Sequence, residues 1–274
     1  MNKPIAVIKV GGDVMLAEPQ WRGLAENITY LHNNGWQCVI LHGGGPQVNE
    51  LQQRLGLTPK KAAGRRITSP DDLLCVIQAI AGQVNVELTN RLQLWNLPVL
   101  GLHGASGIIT ARKRPPITVS GVDGLVDFGA VGDVTEINRQ RLSELLDLGL
   151  IPVIATLARD EFGSLYNINA DTTVVAIAKA LQANVLCMVT AIGGIYADIN
   201  DPQSLINPVD KEKAYQLIED GVIQDGMIAK VQEALTVISS GVGEVVITSM
   251  AREGNMHSLI EEPNSYRMGT RIVS

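Results

Sequence analysis

Residues 39–49, Val39-Ile-Leu-His-Gly-Gly-Gly-Pro-Gln-Val-Asn49, form an apolar run that ends in three consecutive glycines and a proline. The run before the glycines is typical of a buried strand, and the residues after the proline continue as a helix would. Glycines between a strand and a helix leave the backbone bare, so a ligand can approach its N–H groups closely. The stretch therefore predicts a strand–loop–helix unit that faces a ligand.

Similar short apolar runs recur along the chain and alternate with helical patterns. The runs that predict buried strands are 5–10, 37–42, 98–103, 151–156, 185–190 and 244–249. The segments with apolar residues at helical spacing are Trp21–Leu31, Leu73–Leu94, Leu142–Leu148, Thr172–Leu181 and Ile228–Ile238. Near-continuous apolar strands that alternate with amphipathic helices indicate a mainly parallel sheet covered on both faces. The predicted fold class is therefore α/β, a three-layer αβα sandwich.

One region interrupts this alternation. From about 104 to 137 the chain alternates in strand fashion around Gly and Pro, which predicts hairpins laid over one edge of the sheet. No linker rich in Ser, Pro or Gly divides the chain, and the sequence contains no repeat or low-complexity tract. Two lobes that share one continuous sheet are therefore expected, rather than two independent domains.

The composition restricts the kinds of partner. With 46% hydrophobic and 18% charged residues among 274, the chain can bury a substantial core. Only 4% of residues are aromatic and the formal net charge is −6, so we expect no nucleic-acid partner. The apolar run at the N-terminus is too short to span a membrane and lacks a signal-peptide cleavage pattern, so no membrane partner is expected either. Three scattered cysteines, Cys38, Cys75 and Cys187, are typical of buried reduced thiols, and we expect a cytoplasmic protein.

Three glycine-containing junctions follow predicted strands: Lys9-Val-Gly-Gly12, His42-Gly-Gly-Gly-Pro46 and Ala191-Ile-Gly-Gly194. Ligands of open α/β sheets bind beyond the carboxyl ends of the strands, so these junctions would lie at one edge. Ordinary turn chemistry explains any single glycine pair, but three at the same end of one sheet favour an anion site. The P-loop motif is absent and no GxGxxG follows the first strand, so a nucleotide would need a different phosphate-binding loop.

Two lysines and one aspartate are candidates for phosphoryl-transfer chemistry. Lys9 interrupts an apolar strand just before a glycine pair, where its ammonium could act on a transferring phosphoryl group; the alternative is a lysine that snorkels from an edge strand. Lys230 lies near the start of the last predicted helix, where a cation suggests an anionic partner. Asp171 could orient both lysines, or it could simply be a helix N-cap.

Other polar residues are candidates for substrate binding. Asn167 and Asn169 alternate along an extended segment just before Asp171 and could grip a substrate. Arg65 and Arg66 follow a glycine. A guanidinium can hold a small carboxylate through two hydrogen bonds, although adjacent arginines commonly face solvent.

The sequence predicts no metal site. His42 and His103 each end a strand beside glycines, but no third ligand lies at a spacing typical of a metal site. Histidines of the core or of loops are the expected interpretation.

Five motifs occur together in a diagnostic order. They are KVGG (9–12), HGGGPQV (42–48), GRRIT (64–68), YNINADT (166–172) and GVIQDGMIAKV (221–231). In this combination, over essentially the whole chain, the sequence resembles the amino-acid kinase family, which implies its carbamate kinase-like αβα fold. The motifs are most similar to those of members that use ATP to phosphorylate the γ-carboxylate of N-acetyl-L-glutamate, the second step of arginine biosynthesis.

The resemblance implies a catalytic role for three residues and substrate binding by two glycines. Lys9 and Lys230 would neutralise charge on the γ-phosphoryl group as it passes between oxygens, and Asp171 would hold both ammonium groups in place. Gly44 and Gly45 would present backbone N–H groups to the reacting carboxylate and phosphoryl group. Catalysis of this kind aligns two anions and cancels their repulsion.

The resemblance also implies binding roles. Arg66 would bind the α-carboxylate of the small-molecule substrate with Asn167 beside it, and Gly11 and Gly12 would contact the phosphates of ATP. Mg²⁺ would be held mainly by those phosphates. The remaining nucleotide contacts would lie after the fifth predicted strand and before the last helix, at Ala191, Ile192, Gly193, Gly194, Ile195, Tyr196, Val222, Ile223 and Gln224.

The division of labour follows from the same resemblance. Residues 1–171 would form the lobe that binds the amino acid, and residues 172–274 would form the nucleotide lobe. A homodimer is expected through the helix at Leu73–Leu94. No additional helix of the kind found in arginine-inhibited hexamers precedes Lys9, so a dimer without that feedback is expected.

Two departures from the family leave alternatives open. Thr190-Ala191 stands where an acid near the nucleotide is usual, and His103-Gly-Ala-Ser-Gly107 lacks the acid of a loop near the substrate. A kinase of another N-blocked acidic amino acid, such as an aminoadipate derivative in lysine synthesis, is therefore one alternative. A catalytically weak amino-acid sensor is another, although a sensor would be expected to have lost Lys9, Lys230 or Asp171 and this chain retains all three.

Overall fold

Strands and helices alternate along most of the chain. The computed structural model describes residues 3–12, 14, 18–62, 64–119, 121–190, 192–250, 254–262, 266 and 268–273. In chain order its strands are β1 (Ile5–Val10), β2 (Gln37–His42), β3 (Lys61–Ala62), β4 (Arg65–Arg66), β5 (Val99–His103), β6 (Ile109–Lys113), β7 (Ile117–Val119), β8 (Val122–Val126), β9 (Val131–Ile137), β10 (Ile151–Ala155), β11 (Leu157–Arg159), β12 (Leu165–Ile168), β13 (Val185–Val189), β14 (Glu244–Thr248) and β15 (Gly269–Ile272). Its helices are α1 (Glu18–Asn33), α2 (Gly45–Arg54), α3 (Pro70–Val76), α4 (Asn85–Gln93), α5 (Arg139–Asp147), α6 (Ala170–Leu181), α7 (Lys211–Glu219), α8 (Asp225–Ile238) and α9 (Asn255–Glu261), with a π-helical segment (Ile77–Val84) between α3 and α4 and a 3-10 turn at Pro202–Ser204. No helix in the described ranges is long and apolar enough to cross a membrane.

One large sheet organises the described chain. Its seven strands lie in the order β15-β14-β13-β1-β2-β10-β5, and all neighbours are parallel except β14 and β15. The six apolar runs of the sequence are six of these strands, with bounds that differ from the predicted ones by at most one residue. The edge strand β15 was not predicted, because its four residues, GTRI, are short and half polar.

The sheet separates two hydrophobic cores, which confirms the predicted αβα sandwich. Side chains of β1 alternate between them, since successive residues of a strand point to opposite faces. Val7 belongs to the core that α5, α6 and α8 cover, whereas Ala6 and Ile8 belong to the core under α1, α4 and α9. Each fully buried aliphatic side chain stabilises the fold by roughly 1.5–3 kcal/mol.

The helical stretch predicted at Leu73–Leu94 runs from 70 to 93 and includes the π-helical segment. It starts early because Ser69 and Asp72 form a capping box: the Asp72 N–H donates to Ser69 Oγ at 3.2 Å, and the Ser69 N–H donates to Asp72 Oδ2 at 2.9 Å. The π-helical segment packs behind the glycine loop that follows β2. A Cβ on Gly44 would lie 3.0 Å from Cγ1 of Ile80 and 3.3 Å from Cγ2 of Val84.

The region from 104 to 137 contains the antiparallel pairing that its sequence predicts, in β6–β9 and in the β7–β8 hairpin. The expectation of hairpins laid over a sheet edge is corrected in one respect, because β6 and β9 close a small barrel with β11 and β12. The sequence pattern within 104–137 could not reveal partners that lie after residue 150. The barrel matters for the site because β12 carries Asn167.

Both predicted lobes contribute to the large sheet. β1, β2, β5 and β10 precede residue 171, and β13, β14 and β15 follow it. The lobes join where β1 pairs with β13, along the register Ala6–Val185 to Val10–Val189. The boundary at 171/172 stays a prediction.

The barrel interior generates a stability prediction. A Cβ at Gly132 would lie 2.8 Å from Cβ of Tyr166 and 3.1 Å from Cβ of Ala111, so Gly132→Ala should destabilise the protein by about 1–3 kcal/mol through overpacking. Gly82→Ala is the matched control, since the nearest atom to its Cβ would be 3.9 Å away and alanine favours a helix over glycine by about 0.5–1 kcal/mol. Thermal unfolding of both variants measures the difference; equal melting temperatures would contradict the packing argument.

Candidate active site

The carboxyl ends of β1 and β2 bring two predicted glycine junctions together. The Gly43 N–H donates to the Val10 carbonyl at 3.3 Å, and Gln47 Nε2 donates to the Gly12 carbonyl at 2.8 Å. A Cβ on Gly12 would lie 2.8 Å from Gln47 Oε1 and 3.0 Å from Cα of Gly44. The two junctions therefore pack directly against each other, and bulkier residues would separate them.

Lys9 and Asp171 form an ion pair at this edge of the sheet. Lys9 is 9% exposed, and its Nζ lies 3.1 Å from Asp171 Oδ1. Asp171 Oδ1 makes no directed hydrogen bond within the described residues, so the contact is an ion pair at close range. β1 lies between β13 and β2, which rules out the alternative of a lysine that snorkels from an edge strand. Burying an ammonium is unfavourable unless an opposite charge accompanies it, and Asp171 supplies that charge.

Asp171 is in the first turn of α6, but it is not the N-cap of that helix. The cap is Asn169, whose side-chain oxygen accepts a hydrogen bond from the Thr172 N–H at 2.9 Å. The alternative interpretation of Asp171 as an N-cap is therefore wrong. A capping asparagine leaves the carboxylate of Asp171 available to Lys9 at the positive end of the helix.

Lys230, the second predicted lysine, makes no ion pair with Asp171. Among the described residues no carboxylate lies within 4.0 Å of its ammonium. Glu233, one turn further along α8, is affected by both charges. Burial and then the charge of Asp171 raise the pKa of Glu233, while the charge of Lys230 opposes that increase. Glu233 Oε2 is buried without a hydrogen-bond partner in the described part of the chain. Glu233 was not predicted, although its spacing of three residues from Lys230 places both on one face of α8.

All four residues predicted to bind the amino-acid substrate line one cavity of about 230 Å³. These residues are Gly44, Gly45, Arg66 and Asn167. Asn167 Nδ2 donates to Thr68 Oγ1 at 3.2 Å, which orients the amide at the cavity wall. The structure therefore joins motifs that are up to 123 positions apart in the chain, as Gly44 and Asn167 are.

The two adjacent arginines differ in their surroundings. Arg65 is exposed, whereas the partly buried Arg66 is held by α2, where its guanidinium donates to Asn49 Oδ1 at 2.5 Å and to Gln52 Oε1. Partial burial lowers the pKa of Arg66, and the charge of Asp72 opposes this effect. Burial raises the pKa of Asp72 in turn, but hydrogen bonds from Ser69 and Gln52 and the charge of Arg66 hold it below its usual value. The guanidinium of Arg66 is therefore held in one orientation at the cavity wall.

Arg114 lines the same cavity and was not predicted. Its guanidinium donates to Asp133 Oδ1 through Nη2 at 2.6 Å and through Nε at 2.9 Å, and it lies 5.7 Å from the ring centroid of Phe128. In the sequence, Arg114 is only a basic residue before two prolines, a pattern that indicates no site. Its place on the cavity wall follows from the pairing of β6 with β9, where the Arg114 N–H donates to the Val131 carbonyl at 2.8 Å.

The residues predicted to contact a nucleotide lie beyond β13 and before α8. Ala191 lies outside the described residues. The Gly193 N–H donates to Thr190 Oγ1 at 3.0 Å, and glycine is required there because its φ is 82° and a Cβ would lie 2.9 Å from Cβ of Ser249. The side chains of Ile195 and Ile223 belong to the core, so only their backbone could meet a ligand. Ile192 and Gln224 are exposed, Tyr196 and Val222 are partly buried, and Gly194 packs against Leu205 and Thr270.

The described residues contain no group of three or more His, Cys, Asp or Glu side chains that could hold a metal ion. His42 is buried and is hydrogen-bonded to protein groups at both ring nitrogens. His103 is exposed at the end of β5, near the hydroxyl of Ser106.

Comparison with known proteins decides the family. The model of the "Amino acid kinase family" matches residues 4–249. The chain belongs to the amino acid kinase family. A protein named acetylglutamate kinase from Anaeromyxobacter sp. (strain Fw109-5) is 39% identical over 269 residues, which cover 97% of this chain and 98% of that protein.

Solved structures share the fold of this chain. The smu.665 protein of Streptococcus mutans UA159 is 28% identical, has a TM-score of 0.76, and each chain covers 98% of the other. Giardia carbamate kinase, at 17% identity and a TM-score of 0.68 over the full length of both chains, shares the fold. The expected carbamate kinase-like fold is thereby confirmed.

Proposed function

We propose that this amino acid kinase uses ATP to phosphorylate the γ-carboxylate of N-acetyl-L-glutamate, and so carries out the second step of arginine biosynthesis. The observation that carries the proposal is the single cavity in which Gly44, Gly45, Arg66 and Asn167 meet. The name acetylglutamate kinase, borne by relatives at 35–39% identity, supports this choice of substrate. The same relatives do not favour the alternatives of an aminoadipate-type kinase or a sensor.

In the proposed mechanism the protein aligns two anions and offsets their repulsion. A γ-carboxylate oxygen attacks the γ-phosphorus of ATP while the bond from that phosphorus to the β,γ-bridging oxygen breaks and ADP leaves, and the ammonium groups of Lys9 and Lys230 balance the charge on the transferring phosphoryl oxygens. Asp171 holds Lys9 through the ion pair at 3.1 Å, so the ammonium does not reorganise during the reaction. The Lys230 ammonium would contact the phosphoryl group only after ATP binds and brings the negative charge of that group into the site.

Substrate orientation would depend on Arg66 and Asn167. The fork of Arg66 suits the α-carboxylate, because a guanidinium donates two parallel hydrogen bonds to a carboxylate. Asn49 and Gln52 already hold that fork in place, which reduces the entropy lost on binding. Gly44 and Gly45, at the N-terminus of α2, would present N–H groups to the γ-carboxylate and the phosphoryl group.

ATP would bind across the carboxyl ends of β1 and β13. Gly11 and Gly12 would contact its phosphates, while the segments at 192–196 and 222–224, with Ala191, would contact the rest of the nucleotide. Mg²⁺ would be carried mainly by the phosphates of ATP and would supply further neutralisation of the phosphoryl oxygens.

A homodimer is proposed through the edge of the sheet and the adjoining helix. β5 ends the sheet, so one side of this apolar strand has no partner strand in the described chain. Leu74, Val86 and Leu94 on the 70–93 helical stretch and just after it are 56%, 64% and 73% exposed. Three exposed apolar side chains along one helical stretch are typical of a protein–protein interface.

A cytoplasmic location is proposed from the cysteines. Cys38, Cys75 and Cys187 are all buried with free thiols. Unpaired buried cysteines are typical of a reducing compartment.

The charge assignment predicts different kinetic effects for the lysines and for Arg66. Lys9→Ala and Lys230→Ala should each lower kcat by about 10²–10³-fold, the loss expected when a group that stabilises the transition state is removed. Arg66→Ala should mainly raise the KM for N-acetyl-L-glutamate by about 10–100-fold, because a charge-assisted hydrogen bond to the ground state is lost. Lys179→Ala, on α6 but outside the site, is the control and should behave as wild type. Near-normal kcat in both lysine variants would overturn the mechanism.

Substrate choice is tested by a coupled ATPase assay. N-acetyl-L-glutamate should stimulate ADP formation at least about tenfold more, in kcat/KM, than N-acetyl-L-aspartate or N-acetyl-L-aminoadipate, since one methylene changes discrimination by about 10–200-fold. Free L-glutamate should be a poor substrate because it carries an ammonium in place of the acyl amide. A preference for the aminoadipate compound would favour that alternative, and no stimulation by any of the four would favour the sensor.

The dimer is tested by sedimentation velocity. Wild type should sediment with twice the mass of one chain, and Val86→Glu should shift it to the monomer because a charge would be buried in the interface. Leu148→Glu is the matched control, since Leu148 is 75% exposed at the end of α5. A monomeric wild type, or a dimer unaffected by Val86→Glu, would refute the proposed interface.

A further inference from the structure

A buried chain of hydrogen bonds lies behind the glycine loop and has no part in the mechanism described so far. His42, at the end of β2, is 1% exposed, and Asn85, the first residue of α4, is 6% exposed. His42 Nδ1 lies 2.9 Å from the Gly43 carbonyl oxygen, and Asn85 Nδ2 lies 2.9 Å from His42 Nε2. The chain therefore connects the helix of the proposed dimer interface to the first peptide of the glycine loop.

The direction of each hydrogen bond follows from the partners. Asn85 Nδ2 also donates to the Val153 carbonyl at 2.9 Å and lies 3.2 Å from the Leu102 carbonyl, which identifies this atom as the amide nitrogen. The amide shares its two hydrogens among these three neighbours, and because the nitrogen cannot accept, a proton on His42 Nε2 would have no acceptor there. Burial lowers the pKa of His42 to about 4, with the Gly43 hydrogen bond opposing that shift, so the ring is neutral near pH 7. The single ring proton is therefore on Nδ1, which donates to Gly43.

Holding the Gly43 carbonyl also sets the direction of the next N–H. In a trans peptide the carbonyl and the following N–H point in opposite directions. With the Gly43 oxygen turned to His42, the Gly44 N–H points away from the imidazole, and the cavity is lined by Gly43, Gly44 and Gly45. Within the described chain the Gly44 N–H has no hydrogen-bond acceptor. A peptide between two glycines can rotate easily, so a restraint on its carbonyl matters.

We propose that His42 and Asn85 are positioning residues for phosphoryl transfer. They hold the Gly43–Gly44 peptide in the orientation that presents the Gly44 N–H to the reacting anions. Asn85 acts through His42: it fixes the tautomer, and the tautomer fixes the peptide. The inference rests on the proposed function insofar as the Gly44 N–H contacts the γ-carboxylate or the phosphoryl group.

Steady-state kinetics of two neutral substitutions at His42 test the proposal. His42→Leu keeps a similar volume but has no donor, and it should lower kcat by about 10²-fold, the effect of losing one preorganised N–H donor. His42→Asn places an amide N–H near the position of Nδ1 and should retain kcat within about fivefold of wild type. Asn85→Ala, which frees the tautomer, should lower kcat by about tenfold, less than loss of the whole donor. KM values for both substrates should change by less than about threefold in each variant, because the peptide acts mainly in the transition state.

A matched control separates positioning from folding stability. Asn27 is also buried, donates to the Gly23 carbonyl at 2.6 Å and accepts from the Met256 N–H at 2.7 Å, away from the site. Asn27→Ala should lower the melting temperature about as much as Asn85→Ala while leaving kcat unchanged. If His42→Leu keeps kcat within about threefold of wild type, or if Asn27→Ala loses as much kcat as Asn85→Ala, the proposal is overturned.

An NMR measurement decides the proposal even if N-acetyl-L-glutamate is not the substrate. The imidazole ¹⁵N shifts of wild type should show a neutral Nδ1–H ring between about pH 5 and pH 9, because the folded pKa is about 4. Titration with inorganic phosphate should shift the Gly44 amide resonance in wild type and His42→Asn but not in His42→Leu. An Nε2–H tautomer in wild type, or equal Gly44 responses in wild type and His42→Leu, would refute the inference. Inactivity of wild type toward N-acetyl-L-glutamate together with the expected spectra would refute only the proposed substrate.

Discussion

A lysine ammonium buried in the central strand of a parallel sheet is the constraint that organises this site. Removing such a charge from water is unfavourable by several kcal/mol unless a partner of opposite sign accompanies it. The partner, Asp171, is 162 positions away in sequence from Lys9, so the fold must bring the start of α6 to the end of β1. Asn169 makes this possible, because it caps α6 in place of Asp171 and frees that carboxylate. The charges of this pair and of Lys230 all act on the buried Glu233 of α8.

Elements whose determinants are local could be predicted from the sequence. The six apolar strands are uninterrupted runs of side chains buried on both faces, and their bounds in the structure differ by at most one residue from the predicted ones. Lys9 was recognisable because it is a charged residue inside such an apolar run. The structure then excludes the alternative of an edge strand, since β1 lies between β13 and β2. Arg66, Asn167, Gly44 and Gly45 were recognisable from motifs, and they meet in one cavity.

Elements whose determinants are distant could not be predicted. Closure of the barrel depends on pairs such as Asn167 with Val131 and Arg159 with Thr110, which no window of sequence contains. Arg114 directly follows β6, a strand of that barrel, and lines the cavity. The π-helical segment has no local signal in the sequence either, because Ile80 and Val84 are typical of an ordinary helix. What distinguishes these residues is their packing against Gly44, which is distant in sequence.

The glycines show why motifs that are weak singly were informative together. Neither Gly12 nor Gly44 adopts the left-handed backbone that usually demands glycine. They are glycines because neither position has room for a Cβ: one on Gly12 would lie 3.0 Å from Cα of Gly44, and one on Gly44 would lie 3.0 Å from Cγ1 of Ile80. A side chain at Gly12 would push apart the loops that follow β1 and β2, whereas one at Gly44 would push its loop away from the π-helical segment. The requirement couples the two motifs physically, so their co-occurrence carries information about the geometry of the site that neither carries alone.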